Sequence, residues 1–136
     1  MNLMPAIHPT YTQLKQAEQA IAQLPPVDCP VTHHFAEGVY GREMFIPAGT
    51  VISGKIHRFS TLNILAQGEI EVTTPEGVRR LCAPSVFVSP AGGKKIGFAV
   101  TDVVWINVHA SRITDLAALE EKFIIPEQPL VIERKS

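Results

Sequence analysis

Between Val31 and Ala110 the chain breaks into short runs rich in Val, Ile, Phe and Thr, each closed by Gly or Pro within about eight to twelve residues. That punctuation is the mark of an all-β sandwich or barrel. Strands are expected near 32–36, 39–46, 51–57, 62–66, 68–74, 78–82, 86–88, 95–100 and 103–110. Pro75-Glu76-Gly77 separates Glu69–Thr73 from Val78–Leu81, which predicts a hairpin between those two runs.

The flanks have a different period. Leu14, Ala17, Ile21 and Leu24 recur at helical spacing, with Lys15, Gln16, Glu18 and Gln19 expected on other faces. Thr10 and Gln13 match a capping box at the start of this helix, and Pro25-Pro26 stops it. A second helix is expected after the sheet, capped by Ser111 or Thr114, with Leu116, Leu119 and Phe123 as its apolar stripe and Pro126 as its stop. Gln128–Glu133 could add an edge strand. The expected organisation is a helix and connector over 1–30, a β-barrel over 31–110, and a helix and tail over 111–136.

A chain of 136 residues suits one such unit. Its net charge of -1 argues against a general affinity for nucleic acid. No run approaches the roughly 18 apolar residues of a membrane span, and the N-terminus lacks a signal-peptide layout, so the expectation is a soluble, cytoplasmic protein. Cys29 and Cys82 are too few for a disulfide framework or thiolate metal site and read as free thiols, each a small buried hydrophobe.

Two motifs lie within the β region. Gly49 is followed by five residues, then Lys55-Ile56-His57, then Thr61 and Gly68; further on comes Pro90-Ala91-Gly92, with Lys95 three residues later. This series resembles the cupin superfamily, whose first motif has a Gly, a His-x-His pair, a Glu and a closing Gly, and whose second has Pro-x-Gly followed by a His. The resemblance implies a jelly-roll barrel. Gly49, His57, Gly68, Pro90 and Gly92 match, whereas Lys55, Thr61 and Lys95 stand where three of the four metal ligands would be. The whole chain also looks like short cupin-like proteins of tailed bacteriophages and prophages.

Cupin enzymes hold Fe, Mn, Ni or Zn with imidazoles and a carboxylate. Protonated lysine is a poor ligand, so the resemblance implies no cofactor here; a non-standard transition-metal site would use His57 and His109, with Glu43 as a carboxylate. Strand alternation puts Trp105, Asn107 and His109 on one face and Val104, Ile106 and Val108 on the other. If Lys55 and His57 face inward, Thr61, Asn63 and Leu65 do too. The candidate ligand-binding set is therefore Lys55, His57, Asn63, Lys95, Trp105, Asn107 and His109, with no catalytic residue assigned. The alternatives leave Trp105, Asn107 and His109 outside, Lys94-Lys95 in a solvated turn, Tyr40, Arg42 and Glu43 as strand surface, and His8, His33 and His34 in loops or on the surface.

Three readings follow. The first is a metal-free barrel holding a small anionic molecule, phosphorylated or nucleotide-like, because two inward ammonium groups need a negative partner and Trp105 can stack on a ring; in a phage setting this means sequestering a host metabolite or signal. The second is an enzyme, through a metal on His57 and His109 or as an acid-base isomerase or lyase. The third is a structural or assembly protein. Two amphipathic helices and an apolar strand face also suggest a homodimer.

Overall fold

The computed structural model describes residues 9–74 and 76–127. Its strands are β1 (Val31–Ala36), β2 (Val39–Ile46), β3 (Val51–Ser53), β4 (Thr61–Gln67), β5 (Glu69–Thr74), β6 (Gly77–Cys82), β7 (Ser85–Ser89), β8 (Ile96–Ala99) and β9 (Val103–Ala110), flanked by helices α1 (Tyr11–Ala22) and α2 (Leu116–Phe123). Two antiparallel sheets form, in the orders β1-β2-β9-β4-β7 and β3-β8-β5-β6. The Gly and Pro punctuation predicts a β-sandwich or barrel, and the architecture found is the jelly-roll barrel that the cupin resemblance implies. The hairpin of β5 and β6 runs in register from Glu69↔Cys82 to Thr74↔Gly77.

Alternation along the strands sends Ile46, Leu65, Ile70, Val72, Ala99 and Val103 between the sheets, where they form the main core. At Gly68, between β4 and β5, φ is +90° and a Cβ would lie 2.0 Å from the Asp102 carbonyl oxygen. Only glycine fits so close an approach at that φ. Gly49 and Gly92 also have positive φ, in the turns where the motifs place them.

Helix α1 begins as its capping box predicts: Gln13 N–H donates to Thr10 Oγ1 at 3.1 Å and Thr10 N–H to Gln13 Oε1 at 2.8 Å. Its buried face is not purely apolar. Lys15 lies buried beside Leu14, contrary to the helical-stripe expectation, because Glu18 (2.8 Å) and Glu127 (3.2 Å) both pair with its ammonium. Lys94 joins them, at 2.6 Å from Glu18, 3.1 Å from Glu127 and 2.9 Å from the Gly54 carbonyl. Ser53 donates to Glu18 as well. Two ammoniums and two carboxylates thus fasten α1 to the β3 edge and to the segment after α2, and a solvated turn at Lys94 is ruled out.

Helix α2 is capped by Asp115, whose Oδ2 accepts from Ala118 N–H at 3.0 Å. Neither Ser111 nor Thr114 caps it, since Ser111 Oγ instead closes a local turn by accepting from Ile113 N–H. Leu119 and Phe123 are buried, while Leu116 is half exposed. Strand β3 stops at Ser53 rather than reaching residue 57. The chain there leaves the sheet: Arg58 N–H donates to Phe123 O (2.7 Å), Ile125 N–H to Ile56 O (2.8 Å), and His57 bridges Ile124. These bonds draw the end of α2 across one end of the barrel.

Both cysteines are free. Cys29 packs against the core, but Cys82, at the end of edge strand β6, is exposed and not the buried hydrophobe expected. His8 and the proposed edge strand over 128–133 lie outside the described residues.

Candidate functional site

The barrel interior encloses a cavity of about 390 Å³ that opens beneath α2. All seven candidate residues line it. The face of β9 carrying Trp105, Asn107 and His109 points inward, and Val104, Ile106 and Val108 lie on the outer side of the sheet, with Glu43 opposite Ile106. Glu43 therefore cannot serve as an interior carboxylate; it pairs with His34 at 3.1 Å on the outside.

The register of the five-stranded sheet arranges the interior in rows. One row runs His33, Arg42, Asn107, Asn63, Phe87 across β1, β2, β9, β4 and β7. The row towards the mouth holds Phe35, Tyr40 and His109, with Thr61 opposite Ser89. The row towards the floor holds Val31, Met44, Trp105, Leu65 and Ser85. Polarity thus grades from an apolar floor, completed by Ile46, Ile70 and Val72, to a polar and aromatic mouth.

Asn63 organises the middle row. Trp105 Nε1 can only donate, so its contact at 3.3 Å identifies the Asn63 atom facing it as Oδ1. Asn107 Nδ2 donates to the same oxygen at 2.6 Å. The Asn63 amide nitrogen then points the other way, donating to Ser89 Oγ at 2.7 Å and Thr61 O at 3.1 Å. With every polar atom engaged, Asn63 is buried at little cost and ties β4 to β7 and β9 in one geometry.

Lys95, the residue just before β8, enters this network from the opposite side of the barrel. Its ammonium nitrogen contacts Ser89 Oγ and lies 5.4 Å from the centre of the Phe87 ring. Burial, uncompensated by any carboxylate among the described residues, pushes its pKa down. Phe87 in turn meets Trp105 edge-on at 5.4 Å.

At the mouth, His109 stacks between Tyr40 (5.9 Å) and His57 (5.5 Å), and Phe123 of α2 packs on it at 4.4 Å. His33 Nδ1 bonds the Tyr40 hydroxyl at 2.7 Å. Burial, then the neighbouring His109, Lys95 and Arg42, hold His57 down at about 4. His109 is lowered by burial and by Arg42. Both imidazoles are neutral at pH 7, and among the described residues the buried Nδ1 of His57 has no hydrogen-bond partner.

Lys55 sits differently from the inward position expected. It is exposed at the rim, where its ammonium pairs with Glu120 of α2, because the chain has already left β3. Arg42, which reads in the sequence as strand surface, is the inward cation instead, with Tyr40 beside it. The signal available was parity: Tyr40, Arg42 and Met44 share the face of Ile46 on β2, opposite Glu43 and Phe45. Ser89, Glu120 and Phe123 also line the cavity and carry no sequence mark beyond their elements.

The donor set does not suit the metal of cupin enzymes. Lys55, Thr61 and Lys95 replace three ligands, and among the described residues no group of three His, Cys, Asp or Glu could hold an ion. His57 and His109 alone make an incomplete set. Nor is any helix among the described residues long and apolar enough to cross a membrane.

No family model matches the chain, and no curated protein matches it in sequence. Solved structures do match. An ethanolamine utilization protein Q from Salmonella typhimurium superposes with a TM-score of 0.54 at 14% identity, covering 65% of this chain and 73% of that one. A cupin domain from Bordetella pertussis gives 0.50 at 18% identity, over 65% of this chain and 98% of its own. KdgF from Halomonas sp. gives 0.51 at 21% identity, over 65% and 81%. The jelly-roll strand order, the turn glycines of both motifs and these neighbours together identify the fold as that of the cupins.

Proposed function

We propose that this chain is a small-molecule-binding cupin that holds an anionic ligand in its barrel without a metal. One observation carries the reading. Among the described residues, Arg42 and Lys95 line the cavity and neither has an ion-pair partner, although every other inward or rim ammonium does. A guanidinium beside neutral imidazoles in a partly apolar cavity is stabilised by an incoming negative group. Glu120 feels Arg42 but is held by Lys55 at the rim.

The apolar floor takes the body of the ligand, and Arg42, Lys95 and His57 Nδ1, which has no partner among the described residues, take its polar end. A cavity of about 390 Å³ is at the small end of the ligand-pocket range, so a phosphorylated or carboxylated metabolite, up to a mononucleotide, is the size that fits. Thermal-shift measurements with phosphate, pyruvate and nucleoside monophosphates test this. At least one anion should raise the melting temperature of the native chain, and Arg42→Gln should lose the shift. Equal stabilisation by uncharged analogues, or an undiminished shift in Arg42→Gln, would count against an anion site.

The outer face of the five-stranded sheet supports pairing of two copies. Val86 and Val88 are 65% and 64% exposed, and they lie opposite Ile64 and Leu62 in the β4–β7 register. Such a face is self-complementary to a second copy. Val86→Glu should convert a dimer to monomer in light scattering; a native chain that is monomeric refutes the pairing.

A further inference from the structure

Charge and room are distributed unequally along the cavity. The charge lies towards the mouth. Arg42 acts on Tyr40, His57, His109 and Glu120, all at that end. The Lys95 ammonium donates to the Ser89 hydroxyl, which belongs to the mouth row with Thr61. Below them the walls are Met44, Ile46, Ile52, Ile70 and Val72.

The polar side chains in between are engaged with one another. Asn63 Oδ1 accepts from both Trp105 Nε1 and Asn107 Nδ2, and the Asn63 amide donates to Ser89 and Thr61. Trp105 therefore offers the cavity its ring and no free donor. Among the described residues, the floor has no unengaged side-chain donor for a ligand. A hydroxyl, a phosphate or a base edge carried below Arg42 would lose its water and gain no partner, weakening affinity about tenfold or more per stranded group. A hydrocarbon has no such loss there, and each methylene buried tightens binding about fourfold.

Room for that hydrocarbon comes from the facing wall. Lys95, just before β8, shares its parity with Gly97 and Ala99, so two small residues follow the ammonium towards the floor. Gly97 stands in register between Ile52 of β3 and Val72 of β5. A Cβ on it would lie 3.1 Å from Ile70 Cδ1, so a side chain here would fill the gap and crowd Ile70, itself a lining residue. At about 30 Å³ per non-hydrogen atom, the share of one water in the liquid, the cavity of about 390 Å³ holds roughly a dozen such atoms.

We propose that the ligand is an amphiphile with one anionic head and a hydrocarbon body, as in a carboxylic acid of about six to ten carbons, seated tail-first with its head between Arg42 and Lys95. Gly97 sets the length of tail the floor admits. The inference rests on the anion-binding reading for the head and adds the tail, which excludes nucleotides and phosphorylated sugars on chemistry although they fit by size.

The test titrates the full chain with butanoate, hexanoate and octanoate, and with 1-octanol and adenosine monophosphate, read by calorimetry and by the fluorescence of Trp105. Affinity should rise about fourfold per methylene from butanoate to octanoate. Phosphate and pyruvate, which are nearly all head, should bind more weakly than octanoate, as should 1-octanol. Gly97→Ala should weaken octanoate about tenfold and leave butanoate unchanged, with the melting temperature of the free variant checking its fold. Should that variant fail to fold, the chain-length series in the native protein decides alone. Equal affinity for butanoate and octanoate overturns the tail and leaves the anion site standing. Adenosine monophosphate binding as tightly as octanoate overturns the single-headed class. If 1-octanol binds as tightly as octanoate, the anion site itself fails and only an apolar pocket remains.

Discussion

Acidification should destabilise this protein through His57 well before its carboxylates titrate. Burial, then His109, Lys95 and Arg42, hold the folded-state pKa at about 4, against 6.5 for an unperturbed imidazole. The unfolded chain therefore takes up the proton first as pH falls. Stability attributable to the neutral ring is complete above the unfolded pKa, declines as pH drops from 6.5 towards 4, and is flat below. At 1.36 kcal/mol per pH unit, the loss between pH 6.5 and pH 5 is about 2 kcal/mol from His57, with a contribution of the same sign from His109. Glu18 does not confuse that window. Burial raises its carboxyl, but hydrogen bonds from Lys15, Lys94 and Ser53 outweigh burial and hold it at about 2, so its stabilisation is lost only as pH falls from 4.5 towards 2. Urea unfolding at about pH 7 and about pH 5, for the native chain and His57→Gln, isolates the effect: the variant should lose less stability on acidification by about 1 to 2 kcal/mol. An NMR titration of the imidazole giving His57 a pKa near 6.5, or equal pH sensitivity in both chains, would refute the reasoning.

Three further outcomes follow from the packing. Gly68→Ala would place a Cβ 2.0 Å from Asp102 O at φ +90°, so it should destabilise by about 3 kcal/mol or prevent folding, as read by thermal melting; a loss under 1 kcal/mol would contradict the close approach. Lys94→Met leaves Glu18 and Glu127 with Lys15 alone in the clasp, and should cost about 3 kcal/mol by urea unfolding. Hydrogen exchange should then rise in α1 more than in the sheets. Asn63→Leu strands the Trp105 and Asn107 donors and should cost about 2 to 3 kcal/mol, with a red shift in the emission of the single tryptophan; an unshifted spectrum would mean that Asn63 does not hold Trp105.

Much of the fold was legible because its signals are local. Period-two runs ended by Gly and Pro placed the strands, and the Thr10–Gln13 pair placed the start of α1. Alternation grouped Trp105, Asn107 and His109 on one face of β9 but left its direction open, and the structure turns that face inward. What sequence could not give were effects that depend on partners far along the chain. Lys15 is buried only because Glu127 comes back across α1, and Lys55 turns outward only because residues 56–58 leave β3 to pair with the segment after α2. Arg42 shows the converse: its inward direction was readable from the parity of Ile46, but a charged residue within an amphipathic strand reads first as surface. Ser89 matters only through its contacts with Asn63 and Lys95, which no spacing encodes.

The claim on which the rest depends is that an anion completes the cavity at Arg42. Mass spectrometry of the small molecules released by denaturation, from the native chain and Arg42→Gln prepared side by side, tests it most directly. The account predicts an anionic molecule enriched in the native preparation and depleted in the variant. Identical release profiles, or enrichment of an uncharged molecule in both, would contradict it.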